Sequence, residues 1–123
     1  MTSKKKLSVS ATKSFARNLK HLARKKHGIE KVVFSVADEL SIKPDTGLII
    51  PGTKDILRKL RLPDPASGKG KRGGFRLIYA WRNDFDAVYL CFMYSKSDKA
   101  DISSKELEIA LEELESVISE DDS

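Results

Sequence analysis

Apolar positions recur at helical spacing near the start of the chain, at strand spacing in its middle, and at helical spacing again at its end. Phe15, Leu19 and Leu22, with Ala16 and Ala23, mark one face of a helix. Thr12 is placed to cap it and Gly28 to end it. Val32, Val33, Val36 and Leu40 form a second stripe over residues 29–40, so the two segments predict a helical hairpin. LSVSA (7–11) ahead of them reads as a short strand, and SIKPDTG (41–47) as the loop after them.

The middle of the chain changes period. LII (48–50) and ILRKLRL (56–62) read as extended segments. In the second, Ile56, Arg58, Leu60 and Leu62 share one parity, and Leu57, Lys59 and Arg61 the other. FRLIYAWR (75–82) and AVYLCFMYS (87–95) are rich in aromatic and β-branched residues and predict two strands joined by NDFD (83–86). The proline- and glycine-rich segment 63–74 between these pairs predicts an exposed loop. After the turn KSDKAD (96–101), Ser103 or Ser104 caps a last helix. Its apolar stripe is Leu107, Leu111, Leu114 and Ile118, and Glu106 or Glu108 near its start suits the helix dipole. The acidic tail 115–123 is expected to fray. The order predicts one α+β domain over residues 1–123: a small antiparallel sheet with an N-terminal helical hairpin and a C-terminal helix packed against it.

Charge sharpens this picture. The net charge is +5, but it is unevenly spread. Residues 1–29 carry nine Lys/Arg and no Asp/Glu; residues 54–82 carry nine Lys/Arg against two Asp; residues 103–123 carry one Lys against eight Asp/Glu. The basic blocks point to a polyanionic partner. Lys59 and Arg61 lie two apart on one strand and share a face, and Arg76 stands on the next strong strand. If those strands pair, three cations converge, an arrangement that repels itself unless an anion sits there. Arg58 and the loop cations Lys69, Lys71 and Arg72 are further RNA-contacting candidates, and Tyr94 and Lys96 end the last strand.

Several chemistries are excluded or disfavoured. No run approaches the ~18 apolar residues of a membrane span, and MTSKKKLSVS lacks the apolar core of a signal peptide, so a cytoplasmic protein is expected. The single cysteine, Cys91, reads as a small buried hydrophobe, and no Cys/His cluster has metal-ligand spacing. His21 and His27 read as ordinary surface residues. Gly68, Gly70 and Gly73 spell G-x-G-x-x-G, but the run opens a strand where a dinucleotide site opens a helix. Without a carboxylate pair or a Ser/His/Asp set, an enzyme here would work with cations and a tyrosine. RNA cleavage through the substrate's own 2′-hydroxyl suits that equipment, needing positioning, proton transfer and stabilisation of the phosphorane.

Three blocks, PGTKDILRKLRL (51–62), GKGKRGGFRLIYAW (68–81) and VYLCFMYSKSDKADIS (88–103), resemble in order the RelE/HigB-like toxins of type II toxin–antitoxin modules. The resemblance covers residues 47–114 and implies a RelE-like fold. It also implies a cofactor- and metal-independent endoribonuclease (mRNA interferase) acting on mRNA in the ribosome. The implied partner is a cognate antitoxin, expected to be a helix-turn-helix protein of the HigA type. It implies that Lys59 and Arg61 hold substrate phosphates and assist proton transfer. Arg76 is implied to stabilise the transition state, and Lys96 matches the lysine after the last strand. Ser97 and Ser103 stand where some relatives carry an arginine and a tyrosine proposed as acid and base, and Lys99 or Tyr94 are the candidates to replace them. Two other readings use the same fold: a toxin with a gyrase-type target and no nuclease activity, and a non-catalytic RNA-binding regulator.

Overall fold

The computed structural model describes residues 6–66 and 74–122. Strand β1 (Ser8–Ala11) leads into helices α1 (Lys13–Lys25) and α2 (Ile29–Ile42). Strands β2 (Leu48–Ile49), β3 (Leu57–Leu62), β4 (Phe75–Arg82) and β5 (Ala87–Ser95) come next, and helix α3 (Ser104–Asp122) closes the chain. The strands form one sheet in the order β1-β5-β4-β3-β2. β2 to β5 are an antiparallel meander, but β1 runs parallel to β5, pairing Ser8 with Ala87 and Ala11 with Leu90. The sheet is therefore mixed where the strand pattern predicted an antiparallel one. The helical hairpin carries the chain across the sheet to its far edge, and three reversals then bring β5 back beside β1 in the same direction. A parallel pair needs such a long crossover.

Local chemistry sets the element ends. The Thr12 hydroxyl accepts from the Phe15 amide at 3.3 Å and donates to the Cys91 carbonyl at 3.1 Å, which caps α1 and ties it to β5. Gly28 does not end α1, which closes at Lys26; it opens α2 instead, with a φ of 85°. Ser103 and Glu106 form a reciprocal capping box on α3: the Glu106 amide reaches the Ser103 hydroxyl at 3.1 Å, and the Ser103 amide reaches Glu106 Oε1 at 2.9 Å. α3 continues through residues 115–122, expected to fray, because Val117 and Ile118 pack against the sheet and hold it.

The sheet separates two cores. Phe15, Leu22, Ile29, Val33 and Leu40 of the hairpin pack with Leu62, Phe75, Leu77, Tyr79, Val88, Leu90 and Met93 on one face. Ala110 and Leu114 of α3 pack with Leu57, Ile78, Ala80, Tyr89, Cys91 and Tyr94 on the other. A bulge in β5 fixes this division. Ile78 pairs with Phe92 and Tyr79 with Leu90, so Cys91 has no opposite residue. The extra residue shifts the parity of the rest of the strand and puts Tyr94 on the α3 side, opposite Arg76. Cys91 itself is fully buried and its Sγ lies 3.4 Å from the Tyr89 carbonyl. Burial pushes its thiol up to about 12. A disulfide-exchange reagent is expected to leave native protein unlabelled and to titrate one thiol per chain in denaturant; fast labelling of native protein would contradict this packing.

Candidate RNA-binding and active site

The register of the meander assembles the site. Lys59 and Arg61 project from β3 on the α3 side. Arg76 of β4 pairs with Arg61, and Tyr94 of β5 pairs with Arg76, so these three side chains form a row across adjacent strands. Lys59, Arg61, Arg76, Tyr94 and Lys96 line one cleft of about 410 Å³ together with the 46–48 segment, Ala100 and Asp101. Arg76 is 6% exposed, and its Nη1 donates to the Phe75 carbonyl at 3.2 Å. Arg61 is exposed, and Lys96 Nζ donates to the Ala100 carbonyl at 2.8 Å.

Asp101 ties several of these groups together. Its Oδ1 accepts from Lys59 Nζ at 2.9 Å, from the Tyr94 hydroxyl at 3.3 Å and from the Ile102 amide at 2.8 Å. The hydrogen bond from Lys59, more than any other contact, holds the Asp101 carboxyl below its ordinary range. Tyr94 is pushed up to about 12, first by burial and then by the Asp101 charge, against a smaller opposing effect of Arg76. Its hydroxyl therefore stays protonated at neutral pH. It can give a hydrogen bond or a proton there, and it is a poor base.

The 46–48 wall is built from the opposite face. The Tyr79 hydroxyl donates to the Pro44 carbonyl and accepts from the Gly47 amide, both at 2.7 Å. A Cβ on Gly47 would stand 2.8 Å from Tyr79 Cε1 and 3.0 Å from the Lys59 carbonyl, so only glycine allows this approach.

Other candidates from the sequence lie elsewhere. Arg58 is on the hairpin side of β3, where its guanidinium covers the Trp81 ring at 5.6 Å and donates to the Gly47 carbonyl at 2.8 Å. Lys99 does not line the cleft; it pairs with Glu106 and lies over the Phe92 ring at 5.5 Å. Lys69, Lys71 and Arg72 lie outside the described residues. Ser97 shares a hydrogen bond with Ser95 at 2.8 Å, and Ser103 is the α3 cap, so both serines have structural partners. Sequence reasoning missed Asp101 and the 46–48 wall. Only the aspartate had a signal, its place in the KSDKADIS block that carries the family resemblance. Among the described residues no group of His, Cys, Asp and Glu is arranged to hold a metal ion, and no helix is long and apolar enough to cross a membrane.

The family model for the RelE toxin of the RelE/RelB toxin–antitoxin system matches residues 7–120. The chain belongs to the RelE toxin family. Its fold is similar to that of a chain in the RelBE2 toxin–antitoxin complex of Mycobacterium tuberculosis, at 19% identity over 78% of this chain and 94% of that one, with a TM-score of 0.54. It is also similar to a double-arginine mutant of Escherichia coli RelE in the free state, at 14% identity over 87% of this chain and 96% of the other, with a TM-score of 0.56. RelE toxins pair with an antitoxin, and the three α-helices and five-stranded mixed sheet of the described residues match the RelE architecture.

Proposed function

We propose that this RelE-family toxin is a metal-independent endoribonuclease that cuts mRNA held on the ribosome. The observation that carries the reading is the convergence of Lys59, Arg61 and Arg76 on one cleft beside a neutral tyrosine. Like charges directly opposite one another, as Arg61 and Arg76 are, cost stability in the free protein and become favourable once a phosphate lies between them. In the proposed reaction the 2′-oxygen loses its proton and bonds to the adjacent phosphorus. The bond from phosphorus to the 5′-oxygen breaks, and that oxygen takes up a proton. The products are a 2′,3′-cyclic phosphate and a 5′-hydroxyl end. Arg76 and Arg61 neutralise the charge that builds on the phosphorane oxygens. Lys59 and Tyr94 line the cleft with these arginines; Tyr94 gives the 5′-oxygen its proton and regains one from solvent, and solvent takes the proton lost by the 2′-oxygen. Its partner would be a helix-turn-helix antitoxin of the HigA type that neutralises it by direct binding.

Two measurements test this. In a translating extract, wild-type protein is expected to cut a reporter mRNA and to leave it intact when ribosomes are absent. RNA affinity is expected to fall steeply with salt. Arg61→Ala, an exposed site, should lower the slope of log K against log salt by about 0.7, the contribution of one phosphate on a single strand. An unchanged slope would place the RNA away from this cleft.

A further inference from the structure

We infer that Asp101 is a positioning residue of the cleft: one carboxylate oxygen holds the Lys59 ammonium and the Tyr94 hydroxyl at a common point. This deepens the nuclease reading and rests on it for its catalytic purpose. Lys59 and Tyr94 come from β3 and β5, two strands separated by β4, and neither is fixed by its own strand at the tip of the side chain. Asp101 Oδ1 meets both, at 2.9 Å and 3.3 Å. The same oxygen is itself anchored by the Ile102 amide at 2.8 Å, immediately before the α3 capping box. The start of α3 is therefore the frame, and Asp101 the bracket that transfers its position to the two side chains. A lysine stem is otherwise among the most rotationally free of side chains, and a reacting group misplaced by about 1 Å loses on the order of 10²-fold in rate.

The arrangement predicts a separation of rate from affinity. Asp101 is an anion in a phosphate-binding cleft, so it does not help RNA to bind; its contribution lies in aim. In Asp101→Ala the single-turnover cleavage rate at saturating toxin is expected to fall by about 10- to 100-fold, with RNA affinity unchanged or tighter. Asp101→Asn keeps an acceptor oxygen and an Ile102 contact, and should recover most of the lost rate. Full cleavage rate in Asp101→Ala, or a loss confined to affinity, would overturn the proposal.

A second readout does not depend on cleavage. Tyr94 faces Asp101 and Arg76, with Lys59 on the same Asp101 oxygen, and burial followed by the Asp101 charge holds its hydroxyl well above the ordinary tyrosine range. With tyrosine labelled at ζ-carbon and Tyr94→Phe used for assignment, Asp101→Ala should lower the Tyr94 midpoint by roughly half a unit or more in NMR titration. An unmoved midpoint would show that Asp101 does not hold Tyr94 and would overturn the proposal. Wild-type protein that cuts no RNA would overturn the nuclease reading alone, since the titration would still sustain or overturn the hold on Tyr94.

Discussion

Replacing Arg76 with alanine is expected to reduce mRNA cleavage by about 10²- to 10³-fold, the loss expected on removing one preorganised charge stabiliser. Three features single out this arginine. It is nearly buried, so its guanidinium is held in place before substrate arrives. It is the middle member of the Arg61–Arg76–Tyr94 row, one strand from each neighbour. It lines the cleft together with Lys59 and Lys96, which reach in from either side. Arg76→Lys keeps a positive charge but not the planar donor fork that grips two phosphate oxygens, so it should retain only part of the rate. Both variants must melt as cooperatively as the wild type, because a buried arginine also contributes packing. A folded Arg76→Ala that cuts at the wild-type rate would remove this residue from the mechanism.

Gly74→Ala is expected to be the most damaging small substitution to stability, at about 3 kcal/mol or more, with a fall in Tm on the order of 10 °C. A Cβ at this position would stand 2.1 Å from the Leu62 carbonyl oxygen, 2.9 Å from the Asp64 amide and 3.0 Å from the Pro63 carbonyl carbon. All three are backbone atoms and none can rotate away, so the end of β3 and the start of β4 must part. The Gly74 carbonyl also accepts from the Lys96 amide at 2.9 Å, so the shift reaches the cleft. Gly52 provides the contrast. It has a φ of 82° and open space around it, so alanine there should cost about 1 kcal/mol from backbone strain alone. Equal melting of the two variants would contradict the tight approach at Gly74.

The cationic face was legible in the sequence because strand parity is a strict rule. Lys59 and Arg61 had to share a face, and the same rule already set Arg58 apart from them. The helical hairpin was legible from its apolar spacing, and the cap of α3 as Ser103 or Ser104, between which the hydrogen bonds with Glu106 select Ser103. What parity cannot supply is partner and direction. The four residues of β1 are mostly exposed, and nothing in them says that they run parallel to a strand near the other end of the chain. The β5 bulge was equally hidden: AVYLCFMYS is apolar on both faces, so a change of phase at Cys91 leaves no trace in the pattern. Yet that phase decides whether Tyr94 faces the cleft. Which of Tyr94 and Lys99 lines the cleft depended in the same way on the course of the 96–101 turn. That turn sends Lys99 to Glu106 and brings Asp101 back to Lys59.

The most direct test is to map new RNA 5′ ends in a translating extract given wild-type protein, Arg76→Ala or no protein. Ribosome-bound mRNA is expected to acquire discrete cuts with 5′-hydroxyl ends in the wild-type sample, and to lose them in Arg76→Ala protein that melts like the wild type. No new ends with active, folded wild-type protein, or the same ends at the same yield from Arg76→Ala, would contradict a ribonuclease centred on this cleft.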